Sequence, residues 1–257
     1  MFKQKKYFLI IFSLCLIVIT LSSLVNIYKN KQNFKRFFNK LSTSMNLKSN
    51  YVEYDKQKYE LANQIISEGG YILHFRHAHR EKWIDVAMYD SVEINEKRRA
   101  ENEYFKNAVC LSSMGMIQAK MMGEIWSSLN VPVSQVISSP SCRARQTAEI
   151  VFGGYTLEKS ILLHKGPYRE NFKEFRKKLK EFYLNLETTE GSNIIVSAHN
   201  GLIEQKLFDK IINMPNEWSL EEGGFYVFKK IDNKLIYIDK FNNFQYFNLQ
   251  FKTRPNY

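Results

Sequence analysis

Four side chains in this sequence have the types and positions needed to bind and attack a phosphate group. Arg76 and His77 directly follow an apolar run. Arg143 lies a few residues beyond a strand-like segment at 133–138, and His199 lies just beyond another apolar run. A guanidinium offers paired donors that match phosphate oxygens, and a neutral imidazole can act as a nucleophile or a hydrogen-bond donor. Together the four side chains would suit a tetrahedral dianion.

These side chains can meet only if the three segments are neighbouring strands of one sheet. The sequence predicts strands at 71–75, 133–138, 193–197, 225–228 and 235–239, with a turn at 232–233 between the last two. It predicts helices at 54–67, 111–129, 139–152, 171–186 and 202–212. Strands alternating with helices indicate an α/β fold of three layers, α/β/α, with a largely parallel central sheet. Ligands bind such sheets beyond the carboxyl ends of the strands, where the four side chains would lie.

Four ordered motifs of this chain resemble those of the histidine phosphatase superfamily, which includes the cofactor-dependent phosphoglycerate mutases. The segments are Leu73–Ala78 (LHFRHA), Leu111–Ala119 (LSSMGMIQA), Ser138–Glu149 (SSPSCRARQTAE) and Ile194–Asn200 (IIVSAHN). Their order and spacing agree with the superfamily over about residues 70 to 205. The resemblance implies a phosphoglycerate mutase-like fold and a phosphatase that works through a phosphohistidine, without a metal or other cofactor.

The resemblance also implies a role for each site residue. His77 would be the nucleophile, and Arg76, Arg143 and His199 would bind the phosphoryl oxygens. A carboxylate between the motifs of Arg143 and His199 would protonate the leaving group, and Glu170 fits that position best. Elementary electrostatics agree, because two nearby guanidiniums lower the pKa of an imidazole and keep it neutral for attack.

Departures from the family pattern favour hydrolysis over a phosphomutase. Ala78 stands where the family usually has glycine, and His79 stands where an acidic residue often follows. The continuation of this motif that is typical of the mutases is missing. A phosphomutase is therefore the weaker alternative, and a non-catalytic domain that binds phosphorylated ligands at the membrane is another.

A metallo-hydrolase is a further alternative, because His74, His77 and His79 are crowded together in the sequence. The signature that begins with His-x-His continues with aspartate and histidine, but Glu81 and Lys82 stand at those positions. The sequence contains no H-E-x-x-H motif and no C-x-x-C pair. We therefore predict no metal.

The N-terminal segment is expected to hold the protein in a membrane. Residues 7–25 contain no charge and are long enough to cross the hydrocarbon core, although a cleaved signal peptide is the alternative. The predicted organisation is an anchor or signal segment at 1–28, a basic polar stalk at 29–52 and a catalytic domain at 53–257. The short basic N-terminus before the apolar run favours a catalytic domain on the extracytoplasmic side, whereas the charge after the run favours the cytoplasm. Cys110 and Cys142 could pair or stay reduced.

Most of the excess of positive charge lies in the residues before the predicted domain. Residues 1–52 contain nine of the 37 Lys and Arg residues and none of the 26 Asp and Glu residues. The rest of the chain is nearly balanced, which argues against nucleic acid as a partner. The expected partners are a small phosphorylated substrate of unknown identity and the membrane, and the sequence does not indicate an oligomeric state.

Overall fold

A computed structural model describes residues 55–82, 106–163 and 171–252. The strands in this part of the chain are β1 (Ile72–Arg76), β2 (Val133–Ser138), β3 (Leu157–Glu158), β4 (Asn193–Ala198), β5 (Lys210–Ile211), β6 (Phe225–Ile231) and β7 (Lys234–Phe241). The helices are α1 (Lys56–Ser67), α2 (Lys106–Val109), α3 (Ser113–Ser128), α4 (Cys142–Phe152), α5 (Phe172–Leu184) and α6 (Phe244–Lys252).

The seven strands form one sheet in the order β3-β2-β4-β1-β6-β7-β5. Neighbouring strands are parallel except where β6 pairs with β1 and with β7, so β6 alone among these strands runs in the opposite direction. Every residue of β4 is buried, as expected for a strand in the middle of a largely parallel sheet.

Helices cover both faces of the sheet. Helices α1, α3, α4 and α6 contribute Leu61, Trp126, Val151 and Phe247 to a core on one face. Helix α5 contributes Phe175, Leu179 and Tyr183 to a second core on the other face. Alternate strand residues point into the two cores, as the pleat of a strand requires. The predicted three-layer α/β fold with a largely parallel sheet is confirmed.

Most predicted elements agree with the structure to within a few residues, and α4 begins two residues later than Pro140. The predicted turn at 232–233 joins β6 to β7, and Asp232 and Asn233 both have positive φ angles, as a tight hairpin turn requires. Helix α6 was not predicted, although its Phe244 and Phe247 are buried.

The helix predicted at 202–212 is wrong. This segment contains a short 3-10 turn at Gln205–Leu207 and then strand β5, which pairs with β7. The amide of Asp209 donates to the Leu235 carbonyl, and its carboxylate accepts from the Leu235 amide. Pairing at the edge of the sheet therefore satisfies backbone groups that a helix would have satisfied locally.

No helix in the described ranges combines the length and the apolar character that crossing a bilayer requires. The predicted anchor at 7–25 and the stalk at 29–52 lie outside those ranges, and both stay predictions.

Candidate active site

The carboxyl ends of three parallel strands lie level with one another. Arg76 at the end of β1 pairs with Ala198 at the end of β4, and Ser138 at the end of β2 pairs with Ser197. The segments that follow these strands therefore begin at one edge of the sheet. This register brings together residues that are more than 120 positions apart in the sequence.

His77 is buried at this edge, with 4% of its surface exposed. Its amide donates to the Ala198 carbonyl at 3.1 Å. Its Nδ1 lies 2.7 Å from the Ala78 carbonyl oxygen, which can only accept, so Nδ1 carries the proton and Nε2 has the free lone pair. Burial, followed by the charge of Arg143, holds the pKa of His77 well below the usual 6.5. The ring is therefore a neutral imidazole, the form that can attack phosphorus.

Arg76 is held by two groups from the loop before β6. Its Nη1 donates to the Leu220 carbonyl at 2.5 Å, and its Nη2 donates to Oε1 of Glu222 at 3.2 Å. Burial lowers the pKa of Arg76, and the Glu222 carboxylate opposes that effect. The sequence did not identify Glu222. The local signal was the glycine pair that follows it, since Gly223 lies close enough to donate to the carbonyls of Arg76 and His77.

Arg143 lies in the first turn of α4 and is almost fully buried. Its Nη1 donates to the Val109 carbonyl at 3.3 Å, and its Nη2 lies 3.4 Å from Nδ1 of His199. The residue before Arg143 is Cys142, which forms a disulfide with Cys110. The structure thus shows a paired state that the sequence had left open.

His199 directly follows β4, and its ring centroid is 5.5 Å from that of His77. Its Nε2 lies 3.0 Å from the Ser139 hydroxyl and 3.1 Å from the Ser141 hydroxyl. Because the guanidinium of Arg143 only donates, Nδ1 of His199 accepts and Nε2 carries the proton. The two serines were part of a recognised motif, but their contact with His199 was not predicted.

Other residues of the motifs fix the loop after the nucleophile. Gln118 accepts from the His79 amide at 2.7 Å and donates to the Glu222 carbonyl at 2.8 Å. Thr147 accepts from the Ala78 amide at 3.0 Å. A Cβ at Gly115 would lie 1.9 Å from the His79 carbonyl oxygen, so this position of α3 requires glycine. These contacts give Gly115, Gln118 and Thr147 a structural role at the site although they are not themselves reactive groups.

The structure brings Arg76, His77, Arg143 and His199 together, and their catalytic roles stay predictions. Glu170 lies outside the described residues. The three histidines that are crowded in the sequence have different hydrogen-bond partners. His74 contacts Tyr183 and the His199 backbone, Nδ1 of His77 faces the Ala78 carbonyl, and Nδ1 of His79 bonds to Ser112. Chemically, two guanidiniums beside a neutral imidazole can bind a phosphoryl dianion and transfer it to nitrogen.

No protein-family model matches this chain, and no curated protein matches it. Several solved structures are similar to it. One is the protein histidine phosphatase SixA complexed with tungstate, with 14% identity over 70% of this chain and 99% of that chain and a TM-score of 0.45. Another is a phosphoserine phosphatase from Entamoeba histolytica in complex with phosphoserine, with 15% identity over 68% and 98% and a TM-score of 0.43. A third is the alpha-ribazole phosphatase from Shigella flexneri, with 15% identity over 68% and 96% and a TM-score of 0.42.

Proposed function

We propose that this chain is a phosphomonoester hydrolase that works through a phosphohistidine on His77 and needs no metal. The observation that supports it best is a single buried cluster in which Arg143 contacts His199 and the neutral ring of His77 lies alongside. Arg76 completes the cluster from the end of the neighbouring strand. Burial strengthens the electrostatic effect of the Arg143 guanidinium, because little water screens it.

The proposed reaction has two steps. First, Nε2 of His77 attacks phosphorus, a nitrogen–phosphorus bond forms, and the bond to the ester oxygen breaks. The guanidiniums stabilise the charge on the equatorial oxygens, and His199 contributes through Nδ1, which must carry a proton once the phosphate is bound because Nε2 faces the Ser139 and Ser141 hydroxyls. The ester oxygen takes a proton from a general acid and leaves as an alcohol. In the second step water attacks phosphorus and gives a proton to the carboxylate that the general acid left behind. The nitrogen–phosphorus bond breaks, orthophosphate leaves, and both the neutral imidazole and the carboxylic acid are restored.

The general acid is proposed to be a carboxylate near the cluster. Glu222 lies next to the cluster, but its Oε1 accepts from Arg76, so we assign it as the counter-ion of that guanidinium. Glu170 therefore remains the proposed proton donor, on the basis of its place between the two motifs.

The proposal is tested with the full-length protein in detergent and a panel of phosphomonoesters. We expect hydrolysis that resists EDTA, that His77→Gln abolishes and that Arg143→Gln strongly reduces. Arg176→Gln is the matched control, because Arg176 is a partly buried arginine that pairs with Glu204 instead of the cluster. EDTA-sensitive activity would favour the metallo-hydrolase. Saturable orthophosphate binding without turnover of any ester would favour the non-catalytic binding domain, and transfer between two positions of one substrate would favour a phosphomutase.

We propose that the protein crosses the membrane once and that its catalytic domain lies on the extracytoplasmic side. The Cys110–Cys142 disulfide supports this orientation, because such bonds persist mainly in oxidising compartments. The uncharged run at 7–25 supports the anchor. In intact cells, external protease should cut the domain, and alkaline carbonate should leave the protein in the membrane pellet. A protected domain would contradict the orientation, and a soluble form with a new N-terminus would indicate a cleaved signal peptide.

A further inference from the structure

His74 lies in the middle of β1 and is completely buried, yet both of its ring nitrogens have polar partners. Nδ1 lies 2.6 Å from the Tyr183 hydroxyl, and Nε2 lies 3.1 Å from the backbone carbonyl oxygen of His199. Tyr183 belongs to α5 and is fully buried in the core between α5 and the sheet. His74 therefore connects the core to the backbone of a residue in the phosphate-binding cluster.

The protons in this chain of contacts have one arrangement. Burial raises the pKa of Tyr183 well above its usual 10.0, so its hydroxyl keeps its proton. Burial lowers the pKa of His74 to about 4, so its ring is neutral near physiological pH and has one proton. The His199 carbonyl can only accept, so that proton is on Nε2. The Tyr183 hydroxyl then donates to Nδ1, and Nε2 of His74 donates to His199.

We propose that His74 and Tyr183 are positioning residues for His199, whose imidazole they hold in register with Arg143 through its backbone carbonyl. This inference deepens the proposed function and rests on it for the role of His199. The peptide that His74 fixes joins His199 to Asn200, so its rotation would move the His199 ring relative to the phosphate. Tyr183 selects the tautomer of His74 that can make this contact.

Two other buried tyrosines provide a contrast on the same face of the sheet. The hydroxyls of Tyr226 and Tyr237 have no hydrogen-bond partner among the described residues, although both rings belong to the same core as Tyr183. A tyrosine hydroxyl is thus not needed for packing at these positions. This makes Tyr237→Phe a matched control for Tyr183→Phe, because each change removes one buried hydroxyl from the same core.

The test uses the full-length protein with p-nitrophenyl phosphate as substrate and orthophosphate as inhibitor. Tyr183→Phe should lower kcat/KM by roughly 10- to 100-fold and weaken inhibition by orthophosphate, since small displacements of a positioned group have effects of this size. Tyr237→Phe should change neither. His74→Gln keeps an amide that can donate to the same carbonyl, so it should retain more activity than His74→Leu. Urea unfolding of each variant separates positioning from general loss of stability.

A second measurement does not depend on turnover. In 15N-histidine-labelled protein, long-range proton–nitrogen spectra should place the proton of His74 on Nε2, and Tyr183→Phe should shift the ring signals of His199. The inference is overturned if that proton is on Nδ1, or if folded Tyr183→Phe has wild-type kcat/KM and orthophosphate affinity. If the wild-type protein hydrolyses no phosphomonoester, the proposed function fails, and these spectra with orthophosphate binding still decide whether His74 positions His199.

Discussion

Reduction of the Cys110–Cys142 disulfide should weaken both the stability of the domain and its affinity for phosphate. The bond joins residues 32 positions apart, and both cysteines are buried in a small cluster with Ala108 and Val109. In the chain-entropy view, closing a loop of this length stabilises the folded state by about 3–4 kcal/mol. Because small domains are stable by only about 5–15 kcal/mol, the loss should be easy to measure.

The disulfide also joins the chain neighbours of two residues that contact each other in the site. Cys110 follows Val109 and Cys142 precedes Arg143, and the Val109 carbonyl accepts from the Arg143 guanidinium at 3.3 Å. A hydrogen bond to a charged group contributes about 1.5–3 kcal/mol. If reduction weakens the binding free energy of orthophosphate by about 1.5 kcal/mol, the lower end of that range, the affinity for orthophosphate falls by about 10-fold.

The assay compares urea unfolding and orthophosphate inhibition of the full-length protein before and after reduction, with thiol labelling to verify that the bond is broken. The double variant Cys110→Ala/Cys142→Ala should match the reduced protein and should not respond to the reductant. Verified reduction with an unchanged free energy of unfolding and unchanged inhibition would refute the reasoning on both counts.

Two further predictions concern protons. Burial lowers the pKa of His74 to about 4, so the unfolded chain, in which the pKa returns to 6.5, binds more protons between these values. The contribution of His74 to the free energy of unfolding should therefore fall by roughly 3 kcal/mol as the pH falls from 6.5 to 4, in addition to a contribution of the same sign from His77. His74→Gln should reduce the pH dependence of unfolding in urea titrations by that amount, and an unchanged pH dependence would contradict the lowered pKa of His74. Glu170→Gln should slow alkyl phosphates by about 10²–10⁴-fold and spare nitrophenyl phosphate, whose leaving group needs no proton. Equal slowing of both substrates, measured as kcat/KM, would show that Glu170 is not the acid.

The parts of the site that the sequence predicted are those that depend on local patterns. The runs before Arg76 and His199 are short and mostly apolar, and the run before Arg143 is rich in β-branched residues after Pro132, so they indicate strands without any knowledge of their neighbours. Once the strands are parallel, their carboxyl ends meet, and the cluster follows. The helices α3 and α5 were predicted for the same reason, because their spacing and N-terminal caps are local.

The parts that the sequence missed depend on contacts between distant segments. Glu222 reaches Arg76 only because the loop before β6 returns to the end of β1, and the glycine pair after Glu222 indicates a turn without indicating which strand the loop meets. Lys210 and Ile211 form a strand instead of a helix because β7 offers a free edge. His74 was considered as one of three crowded histidines, and its contact with the His199 carbonyl depends on the register of β1 against β4.

The covalent role of His77 is tested most directly by trapping the enzyme during turnover. The full-length protein is mixed with 32P-labelled substrate, quenched in alkali and digested, and the labelled peptide is identified by mass spectrometry. Because Nδ1 of His77 is committed to the Ala78 carbonyl, the account predicts an acid-labile, base-stable phosphoryl group on Nε2 of His77. Turnover without any labelled enzyme, or a label on another residue that persists in His77→Gln, would contradict it.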